Sequence, residues 1–303
     1  MIMAVAYCIL GHKNPAQIER LLRAIMRPGN QVVLHYDRRA RRSEHAALAA
    51  LARTRPSLTL LKPQYVNWGR FSQIATQLKM LRTALQTPSW THAFLISGQD
   101  FPLRSQAEIV EELNHKTDES FVSWFDPTQP GHWLNADVRL RRWHLDSTLL
   151  EWLLRWPGFG RRLRALLGWS NYFPTLPGIT RQLPGFFRWF GGSNHPILSR
   201  ASVEHLASDE QAIRIERWLR PSGHPDETLV QSVLMNSPLA NRVVNDDRRA
   251  IFWDAGAPSP RTLTIQDLPR LREARTAGKL FARKFDVSVD ADVITALEGD
   301  LPS

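Results

Sequence analysis

The sequence predicts an α/β protein in which a mostly parallel sheet is flanked by helices. Apolar runs such as MAVAYCIL (residues 3–10) are continuous rather than alternating, as in strands that are buried on both faces. These runs alternate with helical patterns through the first hundred residues, and such alternation is typical of a parallel sheet. Polar residues follow several of the runs, at the strand ends where open α/β sheets bind ligands.

The first hundred residues predict four strands and three helices. In chain order they are the strand MAVAYCIL, the helix NPAQIERLLRAI, the strand QVVLHYD, the helix SEHAALAALART, the strand LTLLKP, the helix SQIATQLKMLRTAL and the strand THAFLISG. Asn14 and Pro15 suit the N-cap and the first position of the first helix. The ends of the strands carry His12, Lys13, Asp37, Trp68 and Asp100.

The pattern changes between about residues 123 and 190, where Pro, Gly, Trp and Arg dominate. Nine arginines but only two acids lie between residues 139 and 188, and seven of the 11 tryptophans lie between residues 124 and 189. TLLEWLLRW and RRLRALLGW each predict a short amphipathic helix. We expect one domain over residues 1–303, in which residues 125–188 form a basic, aromatic-rich insertion or acceptor lobe.

After this segment the sequence predicts a strand and a helix within FRWFGGSNHPILSRASVEHL. Further helices are predicted at DETLVQSVLMN and near IQDLPRLREA. The sequence GQDFPLRS predicts a sharp turn, because a proline follows the strand end closely.

The formal net charge of +10, with a pI near 10.4, points to an anionic partner such as nucleic acid, acidic lipid or a phosphorylated ligand. A protein that binds nucleic acid is therefore an alternative, although no recognised nucleic-acid motif is present. The single cysteine, Cys8, excludes an internal disulfide and fits a reducing compartment. No signal peptide or membrane-spanning run is apparent, so we expect a cytoplasmic protein that is either free or peripheral on the inner face of the membrane.

Several common catalytic motifs are absent from the sequence. It has no G-x-G-x-x-G or Walker loop, no zinc-type cysteine spacing and no G-x-S-x-G elbow. One D-x-D-like triplet occurs, at residues 290–292, and we interpret it as a turn and helix start rather than a metal site.

Several charged residues have two open interpretations. In HPDETLVQSVL, Asp226 and Glu227 suit a helix start, where acids favour the helix dipole, but a glutamate also serves as a general base. Asp37 and Asp100 either brace turns or contact a ligand at the sheet edge. Basic residues near the C-terminal end either face water or neutralise a leaving diphosphate: Arg261, Arg283 and Lys284.

Seven blocks in order resemble the core-2/I-branching β-1,6-N-acetylglucosaminyltransferases and peptide O-xylosyltransferases (glycosyltransferase family 14). The blocks are AYCILGHKNPAQIERLLRAIMRPGNQVVLHYD, VNWGRFSQIATQLKML, LISGQDFPLRS, GGSNHPILSRASVEHL, HPDETLVQSVL, GAPSPRTLT and GKLFARKFD. Each block is weak alone, but their common order is specific. The resemblance covers most of the chain except about residues 125–188.

The resemblance implies an inverting glycosyltransferase of the GT-A-like, Rossmann-type fold that works without a metal. The glutamate of the family's Pro-Asp-Glu block is the catalytic base, and Glu227 matches it, which leaves Asp226 with the capping role. The family's basic pair that holds the nucleotide diphosphate falls on Arg261 and Lys284. The aspartate that ends the family's His-x-Asp strand falls on Asp37 and is implied to contact the nucleoside.

The other residues of these blocks complete the expected site. His12 and Asp100 are expected to help bind the nucleotide sugar. Contacts to the sugar or acceptor are expected from Trp68, Asp226, Trp253 and Arg283, although core or rim packing explains the two tryptophans equally well. No cofactor is implied. The implied donor is a UDP-sugar carrying GlcNAc or xylose, and the acceptor is a hydroxyl of a glycan, glycolipid or protein.

The chain departs from the animal members of the family in two respects. Those relatives have a membrane anchor and several disulfides, so a bacterial-type member is the better match and their acceptors do not carry over. The segment at residues 125–188 matches poorly, and acceptor choice is expected to lie there. We hypothesise that residues 139–188 rest on an anionic membrane; the alternative is that the arginines line the acceptor cleft or face water.

Overall fold

The structure is a computed structural model that describes residues 4–129, 133, 136–154, 156, 158–167, 175–254, 256–257 and 259–301. The strands are β1 (Ala4–Gly11), β2 (Gln31–Tyr36), β3 (Leu58–Leu60), β4 (Trp90–Ser97), β5 (Asp100–Pro102), β6 (Ser120–Phe121), β7 (Trp124–Phe125), β8 (Arg142–His144), β9 (Thr175–Thr180), β10 (Gly191–Gly192), β11 (Ile197–Ser199), β12 (Val243–Val244), β13 (Arg249–Ile251) and β14 (Phe281–Arg283).

The α-helices are α1 (Pro15–Ile25), α2 (Arg42–Arg53), α3 (Phe71–Ala84), α4 (Gln106–Asn114), α5 (Ala136–Arg141), α6 (Thr148–Leu154), α7 (Phe159–Leu166), α8 (Arg200–Ser208), α9 (Glu210–Leu219), α10 (Leu229–Met235), α11 (Leu268–Thr276) and α12 (Asp292–Asp300). Single 3-10 turns span Pro225–Glu227, Ala240–Arg242 and Ile265–Asp267. No helix within the described ranges is both long and apolar enough to cross a membrane.

The main sheet has the strand order β12-β6-β11-β4-β1-β2-β3. Strands β1 to β4 are mutually parallel, with Cys8 of β1 beside Val33 of β2 and Leu95 of β4. Strand β11 is antiparallel to β4 and β6. The predicted fold class, a mostly parallel sheet flanked by helices, is therefore confirmed.

Successive side chains of β1 point to opposite sides of the sheet. Both sets of side chains are buried. Val5, Tyr7 and Ile9 belong to one apolar cluster, which also holds side chains of α1, α4, α11 and α12. Ala6 and Cys8 belong to the other cluster, which is formed with α3, α8, α9 and α10. Helices thus cover both faces, and the polar groups collect at the carboxyl edge of the sheet.

A smaller sheet, β13-β14-β5, lies beside this edge. Strand β14 is parallel to β13 and antiparallel to β5, and Arg283 stands opposite Asp100. The sequence GQDFPLRS was expected to form only a turn, but its central residues also form β5. The local sequence does not reveal this strand, because its partner β14 lies about 180 residues away in the chain.

The described part of residues 125–188, the basic segment, contacts the main body next to the Pro225–Glu227 turn. The backbone amide of His144 donates to the carbonyl of Pro221 at 2.7 Å, and the amide of Gly223 donates to the carbonyl of Arg139 at 2.8 Å. Asp146 accepts a hydrogen bond from the backbone amide of Ser72 at 2.7 Å, in the first turn of α3. The segment is thus attached at the beginning of α3 and at the turn that carries Glu227.

Of two local predictions about helix starts, the positions of Asn14 and Pro15 are confirmed, while the helix start at Asp226 and Glu227 is wrong. Asn14 occupies the N-cap position of α1, but its left-handed backbone (φ 53°) directs the side chain away from the helix amides, and its amide donates to Asp286 at 2.7 Å. Asp226 and Glu227 do not open the following helix. They form a separate 3-10 turn, and α10 begins at Leu229.

Candidate active site

Glu227 ends the short turn formed by Pro225–Glu227. His224 begins this turn with a left-handed backbone, φ 48°, which is uncommon for residues other than glycine. The amide of His224 donates to the carbonyl of Gly69 at 3.0 Å, and this contact ties the turn to the loop before α3. Strained backbone of this kind concentrates at functional sites. The turn leaves the Glu227 side chain 28% exposed between buried neighbours.

The carboxylate of Glu227 forms an ion pair with Arg139 of α5. The Arg139 Nη1 to Glu227 Oε2 distance is 2.6 Å, and the Arg139 guanidinium lies 4.3 Å from the ring centroid of Trp133. Burial raises the pKa of Glu227, and the positive charges of Arg139 and Arg283 partly offset that rise. The pKa of Glu227 is therefore above its usual value.

His224 lies next to Glu227 but does not act as a cation there. Its Nδ1 is 4.0 Å from Glu227 Oε1. Burial and the positive charge of Arg139 lower the pKa of His224 to about 3, so the imidazole is neutral at physiological pH. The ring of Trp68, which is 60% exposed, packs edge-to-face on it at 4.9 Å. Trp68 thus lies at the rim of the Glu227 site.

Asp226 does not cap a helix, contrary to the expectation from sequence. Its side chain is buried and its Oδ2 accepts hydrogen bonds from Gln73 of α3 at 2.7 Å and from Asn194 at 2.8 Å. Burial, together with the adjacent Glu227 carboxylate, raises the pKa of Asp226 to about 7. The residue joins α3, the loop after β10 and the Glu227 turn. Its expected contact to the sugar or acceptor is not tested, but its buried position favours a supporting role.

Arg283 is held by a buried carboxylate. Its Nε lies 3.9 Å from Oδ1 of Asp100, which is fully buried and accepts a hydrogen bond from the amide of Ser97 at 2.6 Å. Burial raises the pKa of Asp100, but the positive charges of Arg283 and Arg249 outweigh it, so the net shift is downward. Asp100 therefore braces the turn after β4 and orients Arg283. It does not reach the surface itself.

A second group of charges follows β14 and β1. Lys13 pairs with Asp286, whose pKa is held well below its usual range by this contact and by hydrogen bonds from Ser288. Lys284 is half-buried, and its ammonium group forms no hydrogen bond or ion pair with any described residue. Burial and the positive charges of Arg283 and Lys13 lower the pKa of Lys284. Lys284 is a cation available for an anionic ligand.

His12 and Asp37 lie at the ends of β1 and β2. Partial desolvation, Lys13 and Lys284 lower the pKa of His12, while Asp37 acts in the opposite direction. The buried carboxylate of Asp37 accepts hydrogen bonds from the backbone amides of Arg39 at 2.8 Å and Val66 at 3.0 Å. Asp37 thus braces two loops at the sheet edge, and its contact to a nucleoside stays a prediction.

Arg261 is engaged by carboxylates rather than free. Its guanidinium pairs with Asp267 and lies 3.7 Å from Asp254. The backbone runs beside the smaller sheet, since the amide of Arg261 donates to the carbonyl of Phe252 at 3.0 Å. Trp253, next in the chain, is 58% exposed. The expected contact of Arg261 to a diphosphate stays a prediction.

The structure thus brings together most of the residues that the sequence selected. The positive charge of Arg283 lowers the pKa of both Glu227 and Lys284. The positive charge of Lys284 in turn lowers the pKa of His12. The sequence did not identify Arg139, Gln73, Asn194, His224 and Asp286. Gln73 and Asn194 each lie within a block of the resemblance. A polar residue inside an otherwise apolar helix or turn was the sequence feature that could have identified them. Arg139 lies in the unmatched segment, and nothing in the sequence singles it out.

The arrangement suits proton transfer next to a developing anion. A partly exposed carboxylate with a raised pKa is able to accept a proton. Guanidinium and ammonium groups nearby stabilise a departing phosphate. Within the described ranges, no group of three His, Cys, Asp or Glu side chains is arranged to hold a metal ion.

Known proteins resemble the chain along almost its whole length. It is 24% identical over 318 residues to the Beta-1,3-galactosyl-O-glycosyl-glycoprotein beta-1,6-N-acetylglucosaminyltransferase 4 of Danio rerio, in an alignment that covers 98% of this chain and 69% of that protein. It is also 24% identical to Xylosyltransferase 2 of Rattus norvegicus, again over 98% of this chain. The chain spans only 33% of that xylosyltransferase.

Among solved structures, S. aureus TarS is similar at a TM-score of 0.33 and 10% identity, over 72% of this chain and 34% of TarS, which is too low to support any inference. The family match is stronger. The sequence profile of the family described as "Core-2/I-Branching enzyme" matches residues 5–271, which include Glu227, Arg261 and the sheet that carries the other N-terminal site residues. The chain therefore belongs to the Core-2/I-Branching enzyme family.

Proposed function

We propose that this protein is an inverting, metal-independent glycosyltransferase that moves a sugar from a UDP-sugar to an acceptor hydroxyl. The observation that carries the proposal is the Glu227 carboxylate, which is 28% exposed, pairs with Arg139 and has a raised pKa that the positive charge of Arg283 also influences. Lys284, whose ammonium group is free among the described residues, extends this positive region. The names of the relatives support GlcNAc or xylose as the transferred sugar.

In the proposed reaction Glu227 takes the proton of the acceptor hydroxyl. The acceptor oxygen attacks the anomeric carbon from the face opposite the nucleotide, and the bond between that carbon and the β-phosphate oxygen breaks. The electron pair of this bond leaves with UDP, so the configuration at the anomeric carbon inverts. Arg283 and Lys284 stabilise the charge that develops on the diphosphate. We propose that these cations take the part that a divalent ion plays in many other transferases.

The remaining residues have supporting roles in this proposal. Arg261 joins the diphosphate site after its guanidinium exchanges Asp267 for phosphate oxygens. His12 and Asp37 border the nucleoside, and Asp100 fixes the orientation of Arg283. Trp68 and Trp253 are exposed rings at the rim that are suited to stack against sugars. The acceptor is a hydroxyl of a glycan, glycolipid or protein.

The test is Glu227→Gln, assayed with UDP-GlcNAc and UDP-xylose in the presence of EDTA. Loss of a general base lowers kcat by about 10²–10⁴-fold, while donor binding measured by thermal shift is expected to persist. Lys284→Ala is expected to weaken donor binding instead. Glu204→Gln is the control, because Glu204 is 53% exposed and its one ion pair among the described residues is with Arg200 on α8. Transfer that requires a metal, or that survives in Glu227→Gln, contradicts the proposal.

A further inference from the structure

The helices α6 and α7 expose an unusual amount of apolar surface. We call α6 and α7, together with Trp156 and Gly158 between them, the α6–α7 hairpin. Twelve large hydrophobic side chains are exposed in the described part of the chain, and five of them lie in this hairpin. They are Leu149 (65% exposed), Trp152 (53%), Trp156 (53%), Phe159 (49%) and Leu166 (82%). Single exposed apolar residues are ordinary, but a cluster marks an interaction surface.

The exposed apolar side chains of the hairpin lie together on one surface. Leu149, Trp152 and Trp156 follow i, i+3, i+7 spacing, and the two indole rings pack edge-to-face with centroids 5.1 Å apart. Gly160 lets the helices approach closely, since a Cβ there would lie 2.1 Å from the carbonyl oxygen of Leu154. The two helices thus contact each other at Leu154 and Gly160, while both indole rings stay more than half exposed.

Arginine side chains lie next to this apolar surface. Arg161, Arg162 and Arg164 form no ion pair with an acidic side chain of the described residues. Elsewhere on the surface arginines commonly do so, as Arg20 does with Glu298 at 2.7 Å and Arg82 with Glu216 at 3.1 Å. The hairpin therefore combines exposed aromatic and aliphatic groups with a surplus of positive charge.

We propose that the α6–α7 hairpin docks on an anionic lipid bilayer. Tryptophan rings favour the headgroup region, aliphatic tips enter the acyl boundary, and arginines pair with lipid phosphates. Nucleic acid matches the charge but not the aliphatic side chains Leu149 and Leu166, which it would leave without apolar contact. The docking goes beyond the transfer reaction and does not depend on it.

Docking has a consequence for the site. The hairpin belongs to the segment whose α5 supplies Arg139 to Glu227 and whose β8 is hydrogen-bonded to Pro221. A bilayer bound at the hairpin would hold this segment, and the site beside it, at the lipid surface. If the proposed function is correct, the acceptor is presented at that surface.

The experiment is co-sedimentation of the full chain with vesicles made from equal parts of phosphatidylglycerol and phosphatidylcholine, and with vesicles of phosphatidylcholine alone. We expect binding to the anionic vesicles at low salt and weaker binding at high salt. Each arginine near an anionic surface is worth about fivefold in partitioning, so Arg161→Glu/Arg162→Glu is expected to weaken binding at least about 25-fold. Trp152→Ser/Trp156→Ser is expected to weaken it about tenfold through lost interfacial burial.

Two controls separate docking from other causes. Arg23→Glu/Arg53→Glu makes the same charge change at exposed positions of α1 and α2, and is expected to retain most binding. Glu227→Gln is expected to bind vesicles like the wild type, which separates docking from catalysis. Far-UV circular dichroism checks that each variant is folded.

Three results would overturn the proposal. The first is that the wild type fails to bind anionic vesicles at low salt. The second is that the α1/α2 charge control loses as much binding as the hairpin variants. The third is that an RNA or DNA gel shift is abolished by the hairpin substitutions while vesicle binding is unchanged, which would assign the surface to nucleic acid.

Discussion

At the scale of single residues, Arg139 and Glu227 form the contact that most directly affects the proposed chemistry. The ion pair limits the rise in the pKa of Glu227 that burial causes, because the guanidinium favours the ionised carboxylate. It also connects the basic segment to the turn at Pro225–Glu227 across 88 residues of chain. An acceptor hydroxyl that approaches Glu227 has to share the carboxylate with Arg139.

Replacement of Arg139 is expected to move the pH dependence of transfer. In Arg139→Ala the pKa of Glu227 rises further, so less of the base is ionised at a given acidic pH. The acid limb of the kcat/KM profile therefore moves to higher pH, with recovery in alkaline buffer, whereas Arg139→Lys moves it less. Arg164→Ala is expected to leave the profile unchanged, because Arg164 lies in the same segment but forms no ion pair with a described residue. Identical acid limbs for Arg139→Ala and wild type would exclude this role.

Single residues also set the limits of sequence interpretation. The roles expected for Glu227, Lys284 and Arg283 stay predictions, although the positive charge of Arg283 affects the pKa of both Glu227 and Lys284 in the structure. The capping role given to Asp226 was wrong, since its carboxylate accepts from Gln73, which lies 153 positions away. The pair of Arg261 with Asp267 was not anticipated, and the expected contact of Arg261 to a diphosphate stays a prediction. Residue type and spacing do not specify such partners.

At the scale of elements, strand β8 and the loop at residues 221–224 fit together closely. A Cβ on Gly223 would lie 2.7 Å from Cε1 of the His144 ring. The ring has little freedom to move, because its Nε2 is hydrogen-bonded to the carbonyl of Val138 at 2.8 Å. A glycine at residue 223 therefore allows the basic segment to approach the turn that carries Glu227.

Gly223→Ala is expected to destabilise the protein by about 1–3 kcal/mol through overpacking. It is also expected to lower kcat, since the strain falls next to Pro225–Glu227. The matched control is Gly185→Ala, where an added Cβ meets no atom within 4 Å. Urea unfolding measures the stability of both variants. Equal midpoints for the two variants would mean that the contact between Gly223 and His144 does not constrain this region.

Among the elements, those with strong local patterns were predicted well. The strands β1, β2 and β4 and the helices α1, α2 and α3 lie close to their expected ranges, because burial on one or two faces leaves a periodic apolar signal. Short strands such as β5 and β14 have no such signal. They form because each completes the hydrogen bonding of the other, as in the pairing of Asp100 with Arg283.

At the scale of the whole molecule, Asp286 ties the main sheet to the smaller one. It follows β14 and pairs with Lys13, which follows β1, while Asn14 donates to the same carboxylate at 2.7 Å. Gln17 reinforces the junction, donating to the carbonyls of Gly98 at 2.8 Å and Phe285 at 3.1 Å. The junction holds Lys284 beside the carboxyl edge of the main sheet.

Asp286→Asn is expected to reduce the free energy of unfolding by about 1.5–3 kcal/mol, because hydrogen bonds to a buried charge are lost. Donor binding is expected to weaken as well, since Lys284 loses its fixed position. Glu204→Gln is the comparison, because it removes an exposed pair within one helix that is worth about 0.3–0.5 kcal/mol. Chemical denaturation at neutral pH measures the free energy of unfolding of each variant. A loss no larger than that of Glu204→Gln would refute this role for Asp286.

The sequence by itself determined the α/β class, the main strands and helices of the first hundred residues, and the positions worth testing as base and phosphate ligands. It did so because apolar periodicity is a local property of the chain and because the ordered blocks identify the family. Only the tertiary structure decided that Arg139 forms an ion pair with Glu227 and that Gln73 and Asn194 donate hydrogen bonds to Asp226. It also decided that Asp286 joins the two sheets. These contacts link residues far apart in the chain, and each depends on charge and burial created when the elements pack together.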